Sequence, residues 1–452
     1  MKEYRKNIAK SIKKCYYSNS KGVYFMLIEY KVKNFKSFKN EIVLSMVADT
    51  NRELSDKNLI QYENMTLLKS AAIFGANASG KSNLIESFRF FNDLFLAGVD
   101  INKTLSNLPC FKLDTKSQNN PISYEISFFL NGKRHRYGIE IDSKGICSEW
   151  LYFVPKRQEA CYFERKRNEI VRTGTYFENK KALDYIKPDA TRPFLFTLAQ
   201  DSIKEFAWAK EIINYLKFYI RPSDFPDIIL KSMIEEEILE DSDDKIVTKE
   251  EVLSFLKDAD ICIADISVIK KKNDEDDLFS QFMEFMKQKG KSIKPTELET
   301  YMHHNKYDEQ YNIVDREKFP IEAESRGTVK LYALIHPIFL VLKGGGVLLV
   351  DEIESSLHPL LCERIIRLFN DPKTNPNNAQ LIFTTHNTLL MNPKLLRRDQ
   401  IYFVEKNEYG VSNMYSLYDI DLDIRSNFNY LNNYLAGRFG AIPYLGEFNL
   451  KI

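Results

Sequence analysis

Apolar and polar residues alternate differently in successive parts of the N-terminal third of the chain. Across residues 26–46 apolar positions alternate with polar ones, which is typical of β-strands. The stretch 67–74 is short and mostly apolar, as in a buried strand. After Lys81 apolar residues recur at helical spacing, at Leu84, Phe88, Phe91 and Phe95. The pattern therefore predicts a strand before residues 75–82 and a helix after them.

The middle of the chain has two patterns. Residues 121–175 alternate on both sides of Asn131-Gly132, a dipeptide that favours a tight hairpin turn, so an antiparallel β region is predicted. Residues 200–295 are mainly helical in pattern, with an acidic stretch that ends at Asp244 and a Lys-rich segment at 269–291. We interpret these charge runs as solvated helix faces.

The last third returns to short apolar runs separated by helical patterns. Strands are predicted at 346–350, 380–384 and 400–404, and a helix is predicted from Pro359. Strands that alternate with helices indicate a parallel sheet. The predicted fold class is therefore α/β, with a sheet that begins near the N-terminus, is interrupted, and is completed by the C-terminal third.

Composition and charge narrow the class of protein. The 452 residues are 44% hydrophobic, which allows a sizeable core, and 64 Lys+Arg balance 63 Asp+Glu, so the whole chain lacks the basic bias of many nucleic-acid proteins. The six cysteines form no CxxC pair, as expected of reduced thiols in a cytoplasmic protein. The best membrane candidate, 331–342, is far shorter than the roughly 20 residues a span needs. The basic residues 1–25 are interpreted as a disordered tail, with a nucleic-acid or partner-binding arm as the alternative.

One motif identifies a phosphate-binding loop. The stretch 75–82 matches G-x4-G-K-[ST] and lies between the predicted strand and helix, where backbone N–H groups and the helix N-terminus meet phosphate oxygens. Lys81 is expected to reach the β and γ phosphates of ATP, and the Ser82 hydroxyl is expected to ligate Mg²⁺. The predicted nucleotide-binding residues of the loop are Gly75, Ala76, Asn77, Ala78, Ser79, Gly80, Lys81, Ser82 and Asn83.

Two acidic residues follow a predicted strand. Asp351 comes directly after the apolar run 347–350, and Glu352 is the next residue. The strand end presents Asp351 to a metal ion, and Glu352 is placed to polarise an attacking water. Asp351 is therefore the second candidate metal ligand, and Glu352 is the candidate catalytic base.

Two further segments complete the candidate site. His386 follows the next predicted strand, where a γ-phosphate sensor is expected, and is the second candidate catalytic residue. Ser325 and Gly327 precede a helix predicted at 329–342, and a Ser and Gly at a helix N-terminus form an anion-binding element. Their order, ahead of Asp351-Glu352, is the order that an ABC-type site requires.

These motifs resemble the ABC/SMC/RecF branch of P-loop ATPases, and most of all the OLD-like, abortive-infection group. GANASGKSN resembles the Walker A loop of that group, and SRGT at 325–328 resembles its signature. VLLVDEIESSLHP resembles its Walker B motif and D-loop, and TTHN at 384–387 resembles its H-loop. The opening IEYKVKNFKSF and the closing LAGRFGAIPYL also resemble the group, so the likeness covers 26–452. The resemblance implies an ABC-like ATPase with Mg²⁺ as cofactor, and Ser325 and Gly327 acting on the site of a second protomer.

The resemblance also implies a domain order. We expect an extension at 1–25, the first part of the ATPase core at 26–199, a helical insertion at 200–295 and the second part of the core at 296–452. Two departures matter: the signature is not the transporter-type LSGGQ, and only 66 residues follow His386 (452 − 386), too few for the TOPRIM nuclease domain of OLD nucleases. The carboxylates of 419–423 are interpreted as an ordinary loop.

Three functions are compatible with these motifs. The first is a regulatory ATPase of an antiphage, abortive-infection type system, active as a homodimer or higher oligomer. It would control a separately encoded effector, which we expect to be a nuclease. The second is a RecF/SMC-type DNA-repair ATPase that binds duplex DNA. The third, a self-contained nuclease under ATPase control, is disfavoured by the expected lack of a nuclease domain. No membrane association is expected.

Overall fold

The computed structural model describes residues 25–51, 53–95, 105, 107–200, 206–222, 227–239, 245–270, 298–421 and 429–443. The chain divides into two compact units. The first, called here the core unit, is made of Val23–Asp224, Gly345–Ser355 and Cys362–Ile452. The second, called the signature unit, contains the described residues of Phe225–Gly344 and Ser356–Leu361.

The core unit contains a seven-stranded antiparallel sheet in the order β10-β9-β8-β7-β6-β1-β2. Its strands are β1 (Phe25–Lys33), β2 (Ile42–Ser45), β6 (Ile122–Leu130), β7 (Lys133–Asp142), β8 (Gly145–Val154), β9 (Ala160–Lys166) and β10 (Glu169–Thr173). Asn131 and Gly132 both have positive φ in the turn between β6 and β7, as the sequence predicts for this hairpin. A separate hairpin pairs β3 (Leu59–Tyr62) with β4 (Met65–Leu68).

A six-stranded sheet in the order β11-β15-β16-β5-β17-β18 forms the second layer of the core unit. Its strands are β5 (Ser70–Phe74), β11 (Ile220–Pro222), β15 (Val347–Val350), β16 (Gln380–Thr384), β17 (Ile401–Lys406) and β18 (Ser412–Ser416). All neighbours pair in parallel except β17 and β18, which pair antiparallel. Strands β5, β15 and β16 are buried along their whole length, which explains their unbroken apolar runs.

Helices and a shared apolar core join the two sheets. The helices of the core unit are α1 (Lys81–Asp93), α2 (Phe194–Leu198), α3 (Ala207–Tyr219) and α8 (Tyr430–Leu435). Leu84, Phe88 and Phe91 of α1 are buried with Tyr30 of β1 in the same apolar cluster as Ile382 of β16. The Gln380 side chain adds hydrogen bonds to the Leu27 backbone and to the Leu68 carbonyl, and thereby ties β16 to the antiparallel sheet.

The signature unit is built from helices and a small sheet. Its helices are α4 (Asp227–Leu239), α5 (Lys249–Asp258) and α6 (Arg326–Gly344), and its sheet has the order β12-β13-β14, with β12 (Asp265–Lys270), β13 (Leu298–Tyr307) and β14 (Ile313–Pro320). Both α4 and α5 pack on α6. Among the described residues, α6 is the one helix long and apolar enough to cross a membrane, but Leu331 to Ile338 are buried as in the core helix of a folded unit. Helix α7 (Pro359–Asn370) carries residues of both units.

The predicted α/β fold with an antiparallel β region is confirmed. Strands at 346–350, 380–384 and 400–404 appear within a residue or two of their predicted positions, and α7 begins at Pro359 as expected. The described part of 200–295 contains α3, α4 and α5 but also β11, a strand of the parallel sheet, and β12. The expected four-part domain division remains a prediction. The extension at 1–25 lies outside the described residues except for Phe25, and so does most of the Lys-rich segment.

Candidate functional site

Three neighbouring strands bring the sequence motifs to one edge of the parallel sheet. Strands β15, β16 and β5 are adjacent and parallel, so their carboxyl ends lie together. The loop 75–80 follows β5, Asp351 follows β15, and Thr385-His386 follows β16. Ligands of open α/β sheets bind in the crevice outside these strand ends. The topology of the sheet therefore brings residues that are far apart in sequence together in one candidate site.

The loop between β5 and α1 requires glycine at both ends. At Gly75 an added Cβ would lie 2.2 Å from the Val404 carbonyl oxygen of the neighbouring strand. Gly80, the residue before α1, has φ of 117°, and its Cβ would lie 2.6 Å from the Ser412 hydroxyl and 2.8 Å from the Ser37 hydroxyl. The Ser412 hydroxyl also donates to the Ser79 carbonyl. The loop is thus wedged against β17, β18 and the β1–β2 turn, which holds its backbone in place.

Lys81 is folded back onto the loop that precedes it. Its Nζ donates to the carbonyl oxygens of Gly75 and Ala76 at 2.9 and 3.0 Å and lies 3.5 Å from His386 Nδ1. Burial lowers the pKa of Lys81 to about 8, against the opposing pull of Glu352, Asp351 and Glu354. A buried ammonium group that donates to neutral backbone carbonyls is well suited to an anionic partner.

Thr384, the last residue of β16, positions the acidic pair that follows β15. Its hydroxyl donates to Asp351 Oδ1 at 2.5 Å and accepts a hydrogen bond from the Glu352 amide at 2.8 Å. Thr384 itself is fully buried. Glu352 has φ of 48°, and half of its side chain is exposed to the site. Asp351 is therefore fixed in orientation, whereas the Glu352 carboxylate projects into the crevice.

His386 is held by its backbone and lies among charged groups. Its amide donates to Glu354 Oε1 at 2.5 Å, and the neighbouring Thr385 hydroxyl donates to Glu354 Oε2 at 2.7 Å. Its Nε2 lies 4.0 Å from Glu352 Oε1. Burial and, next, the charge of Lys81 lower the pKa of His386, so the neutral ring is favoured near neutral pH.

These residues line one pocket that fits a nucleotide. The pocket has a volume of about 530 Å³, within the range of small-molecule sites, and is lined by Asn77, Ala78, Ser79, Gly80, Lys81, Ser82, Asn83, Glu352, His386 and Lys406. The Ser79 hydroxyl is buried and, in the part of the chain described, has no hydrogen-bond partner. A phosphate oxygen is the kind of acceptor that would satisfy it. The donor set, a cation with a hydroxyl-lined loop, fits phosphates, and Ser82 and Asp351 supply the oxygen ligands that Mg²⁺ prefers.

Ser325 and Gly327 belong to the signature unit. The Ser325 hydroxyl accepts a hydrogen bond from the Thr328 amide at 3.1 Å and lies 2.9 Å from the Thr328 hydroxyl, so it caps the first turn of α6. At Gly327 an added Cβ would lie 2.7 Å from the Ser356 carbonyl oxygen. Glu324, the preceding residue, is held by His304 Nε2 at 2.8 Å. The segment is therefore an ordered helix start with one tightly packed glycine.

Sequence reasoning missed three residues that hold the predicted site residues in place. Thr384 and Glu354 bond directly to the predicted residues, and Ser37, from the β1–β2 turn, receives the Asn83 side-chain amide at 2.7 Å. Glu354 stands three residues after Asp351, which is the one local signal that was available. The contacts of Ser37 depend on the pairing of distant strands and leave no local pattern.

The fold and the pocket define a P-loop nucleotide-binding protein of the α/β class with an added antiparallel sheet. Residues 70–392 match the family model described as "AAA domain, putative AbiEii toxin, Type IV TA system". This stretch is well over half of the chain, and the protein belongs to that family. It is therefore a P-loop ATPase of the AAA type, and the family implies that it binds nucleotide.

Solved structures with a similar arrangement include two SMC heads. The SMC head domain from Thermotoga maritima is 16% identical, with 86% of this chain and 98% of that chain covered and a TM-score of 0.40. The SMC head bound to the C-terminal winged-helix domain of ScpA is 15% identical, with 86% and 97% covered and a TM-score of 0.42. No curated protein matches the sequence.

Proposed function

We propose that this protein is a regulatory ATPase of an antiphage, abortive-infection type system that controls a separately encoded effector. The observation that carries the ATPase part is the single pocket that contains Lys81, Glu352 and His386. The defence part draws on the family, whose description names an AbiEii toxin and a type IV toxin–antitoxin system. The OLD-like motifs in the sequence support the same assignment.

In the proposed reaction the chain binds ATP and hydrolyses it to ADP and phosphate. Lys81 exchanges the carbonyls of Gly75 and Ala76 for the β and γ phosphates, and the loop amides and the Ser79 hydroxyl bind phosphate oxygens. Ser82 and Asp351 would hold Mg²⁺, which neutralises phosphate charge when it is bound. Glu352 accepts a proton from the attacking water, and the neutral His386 donates a hydrogen bond to the γ phosphate.

The proposed active unit is at least a dimer. Ser325 and Gly327 lie at the start of a long helix, a position that favours anions, and in the resembling ATPases this segment acts on the site of the opposite protomer. The γ phosphate would then be bound from two chains and would hold them together. Hydrolysis would release that restraint, which supplies a conformational signal to the effector.

Mixing experiments test the shared site. Lys81→Ala removes the phosphate cation and Ser325→Arg obstructs the signature, so each homo-oligomer should be inactive, whereas a mixed oligomer regains one intact site. Recovery of about a quarter to a half of the wild-type rate after co-refolding or co-expression supports the shared site. Confirmed mixed oligomers without recovery would mean that each site forms within one chain.

The regulatory role is tested with the purified chain, alone and mixed with the product of a neighbouring gene. Hydrolysis that is altered by the partner, with no nuclease activity from the chain alone on plasmid, linear DNA or tRNA, supports the proposal. Strong stimulation by duplex DNA without any partner would instead favour the RecF/SMC-type repair ATPase. Cleavage by the chain alone, abolished by Lys81→Ala, would contradict a separate effector.

A further inference from the structure

Glu354 lies outside the catalytic motif yet bonds the two residues that follow β16. Its carboxylate bonds two successive residues, the Thr385 hydroxyl through Oε2 and the His386 amide through Oε1. Thr385 is fully buried, so its hydroxyl requires a partner, and it also accepts a hydrogen bond from the Asn387 amide at 2.9 Å. Glu354 thereby fixes the backbone direction of 385–387.

The turn that carries Glu354 is itself fastened to β16. The Ile353 amide donates to the Thr384 carbonyl at 3.1 Å, and the Ile353 carbonyl accepts a hydrogen bond from the Cys362 thiol at 3.6 Å. With the Thr384 bonds to Asp351 and Glu352, the turn after β15 and the end of β16 are linked at successive positions. Glu354 supplies the outermost link of this series, the one that reaches His386.

The backbone of 385–387 places the His386 ring between two charged groups of the site. Nδ1 lies 3.5 Å from Lys81 Nζ and Nε2 lies 4.0 Å from Glu352 Oε1, so the ring stands between the phosphate cation and the candidate base. The ring is one-third exposed and, in the described part of the chain, no side chain forms a hydrogen bond with Nε2. The backbone of residues 385–387 therefore sets where the ring enters the site.

From these contacts we infer that Glu354 is a positioning residue for ATP hydrolysis, which acts by clamping the His386 backbone in the orientation that directs the ring at the γ phosphate. The inference rests on the proposed function. A clamp of this kind affects the rate of the chemical step more than nucleotide affinity, because Lys81 and the loop 75–80 bind the phosphates without it. Displacement of a catalytic group by about 1 Å can cost a hundredfold in rate.

Replacement of Glu354 by Gln and by Ala should affect the contacts to Thr385 and His386 differently. Glu354→Gln retains an oxygen to accept from the His386 amide, and its new NH₂ can donate to the Thr385 hydroxyl after that hydroxyl rotates. Glu354→Ala removes both partners. A positioning role therefore predicts near-normal turnover for Gln and a kcat lowered about tenfold to a hundredfold for Ala, with the Kd for ATP changed less than threefold.

The experiment measures kcat, KM and ATP affinity for both variants in the full-length protein, and in the His386→Ala background. Glu363→Ala, which removes a partly exposed carboxylate paired with Arg367 on α7, is the matched control and should match wild type. Because Glu354 acts through His386, Glu354→Ala should change turnover less than twofold once His386 is absent. Gln as inactive as Ala, or a full additional loss in the double variant, would overturn the inference.

Amide hydrogen exchange gives a readout that does not depend on hydrolysis. Exchange at His386 should be at least tenfold faster in Glu354→Ala than in wild type and close to wild type in Glu354→Gln. Unchanged exchange in the Ala variant would mean that the clamp does not hold this residue in solution. If wild-type protein binds ATP without hydrolysing it, the proposed catalytic function fails, while the exchange result still decides whether Glu354 positions His386.

Discussion

Both sheets of the core unit bury charged side chains, but they satisfy them in opposite ways. In the antiparallel sheet the Glu149 carboxylate accepts hydrogen bonds from the Tyr137 hydroxyl and the amides of Phe194 and Leu195, at 2.7 to 2.9 Å, and faces the guanidinium of Arg165. Glu149 and Arg165 are both fully buried. Each charged side chain of this group faces an opposite charge inside the protein, which is typical of a structural polar cluster.

At the carboxyl end of the parallel sheet the charged groups remain incomplete. Lys81 donates to neutral backbone carbonyls and lies 3.5 Å from His386 Nδ1, and Glu352 and His386 are partly exposed to the pocket. Removal of one partner from a paired buried charge leaves the other uncompensated, whereas a charge that faces a pocket is available to a ligand. The comparison predicts that substitutions in the two regions will separate stability from nucleotide chemistry.

The largest expected effect is on catalysis at the parallel sheet. Glu352→Gln should retain ATP binding, because Asp351, Ser82 and the loop are unchanged, and should lower turnover by ~10²–10⁴-fold, the usual contribution of a positioned base. Single-turnover hydrolysis and equilibrium binding measure the two quantities. Turnover within a few-fold of wild type would assign the base to another group.

In the antiparallel sheet, loss of a buried charge should lower the stability of the protein rather than its catalytic activity. Glu149→Ala leaves the buried Arg165 without its counter-charge and should lower the free energy of unfolding by about 3–5 kcal/mol. The Kd for ATP should change less than threefold at a temperature where the variant is folded. Urea denaturation followed by nucleotide titration checks both. A normal stability would show that the ion pair contributes little.

A smaller predicted effect is the pH dependence of the free energy of unfolding that a histidine in the antiparallel sheet causes. His135 is stacked between Phe128 and Phe153, and burial lowers its pKa to about 4. Because the unfolded histidine takes up a proton near pH 6.5, the contribution of neutral His135 is complete above pH 6.5 and is lost as pH falls towards 4. The loss amounts to at most about 3 kcal/mol.

His135→Phe should remove that part of the acid sensitivity and leave the remainder. The comparison requires unfolding free energies of wild type and variant at pH 7 and pH 4.5. An identical pH dependence in the two proteins would mean that His135 is protonated in the folded state or exposed to solvent.

The sequence was most informative where chemistry depends on neighbouring residues. The loop 75–82 and the pair Asp351-Glu352 were predicted because a phosphate-binding loop and a strand-end carboxylate pair have fixed local spacing. The strands and α1 around them followed from periodicity. The antiparallel region was predicted from alternation and the Asn131-Gly132 turn, and β6 to β10 confirm it.

What the sequence missed depends on which strands are neighbours. Nothing in the pattern of β1 showed that it pairs with β6, which lies nearly 90 residues further along the chain, and thus joins the antiparallel sheet. The roles of Thr384 and Glu354 likewise follow from the lateral pairing of β15 and β16. The strand β11 was missed because three residues between helices give too short a pattern.

The central claim is that the Lys81 ammonium is incomplete without a phosphate, and a titration of ATP against Lys81→Ala and Lys69→Ala tests it most directly. Lys69 is also buried, but its Nζ donates to the Asn370 carbonyl as part of the internal packing. We predict that Lys81→Ala weakens ATP binding at least about a hundredfold with little loss of stability, because a charge-assisted contact to phosphate is lost. Lys69→Ala should lower stability and leave the Kd for ATP within threefold. Equal ATP affinity in Lys81→Ala and wild type would contradict the account.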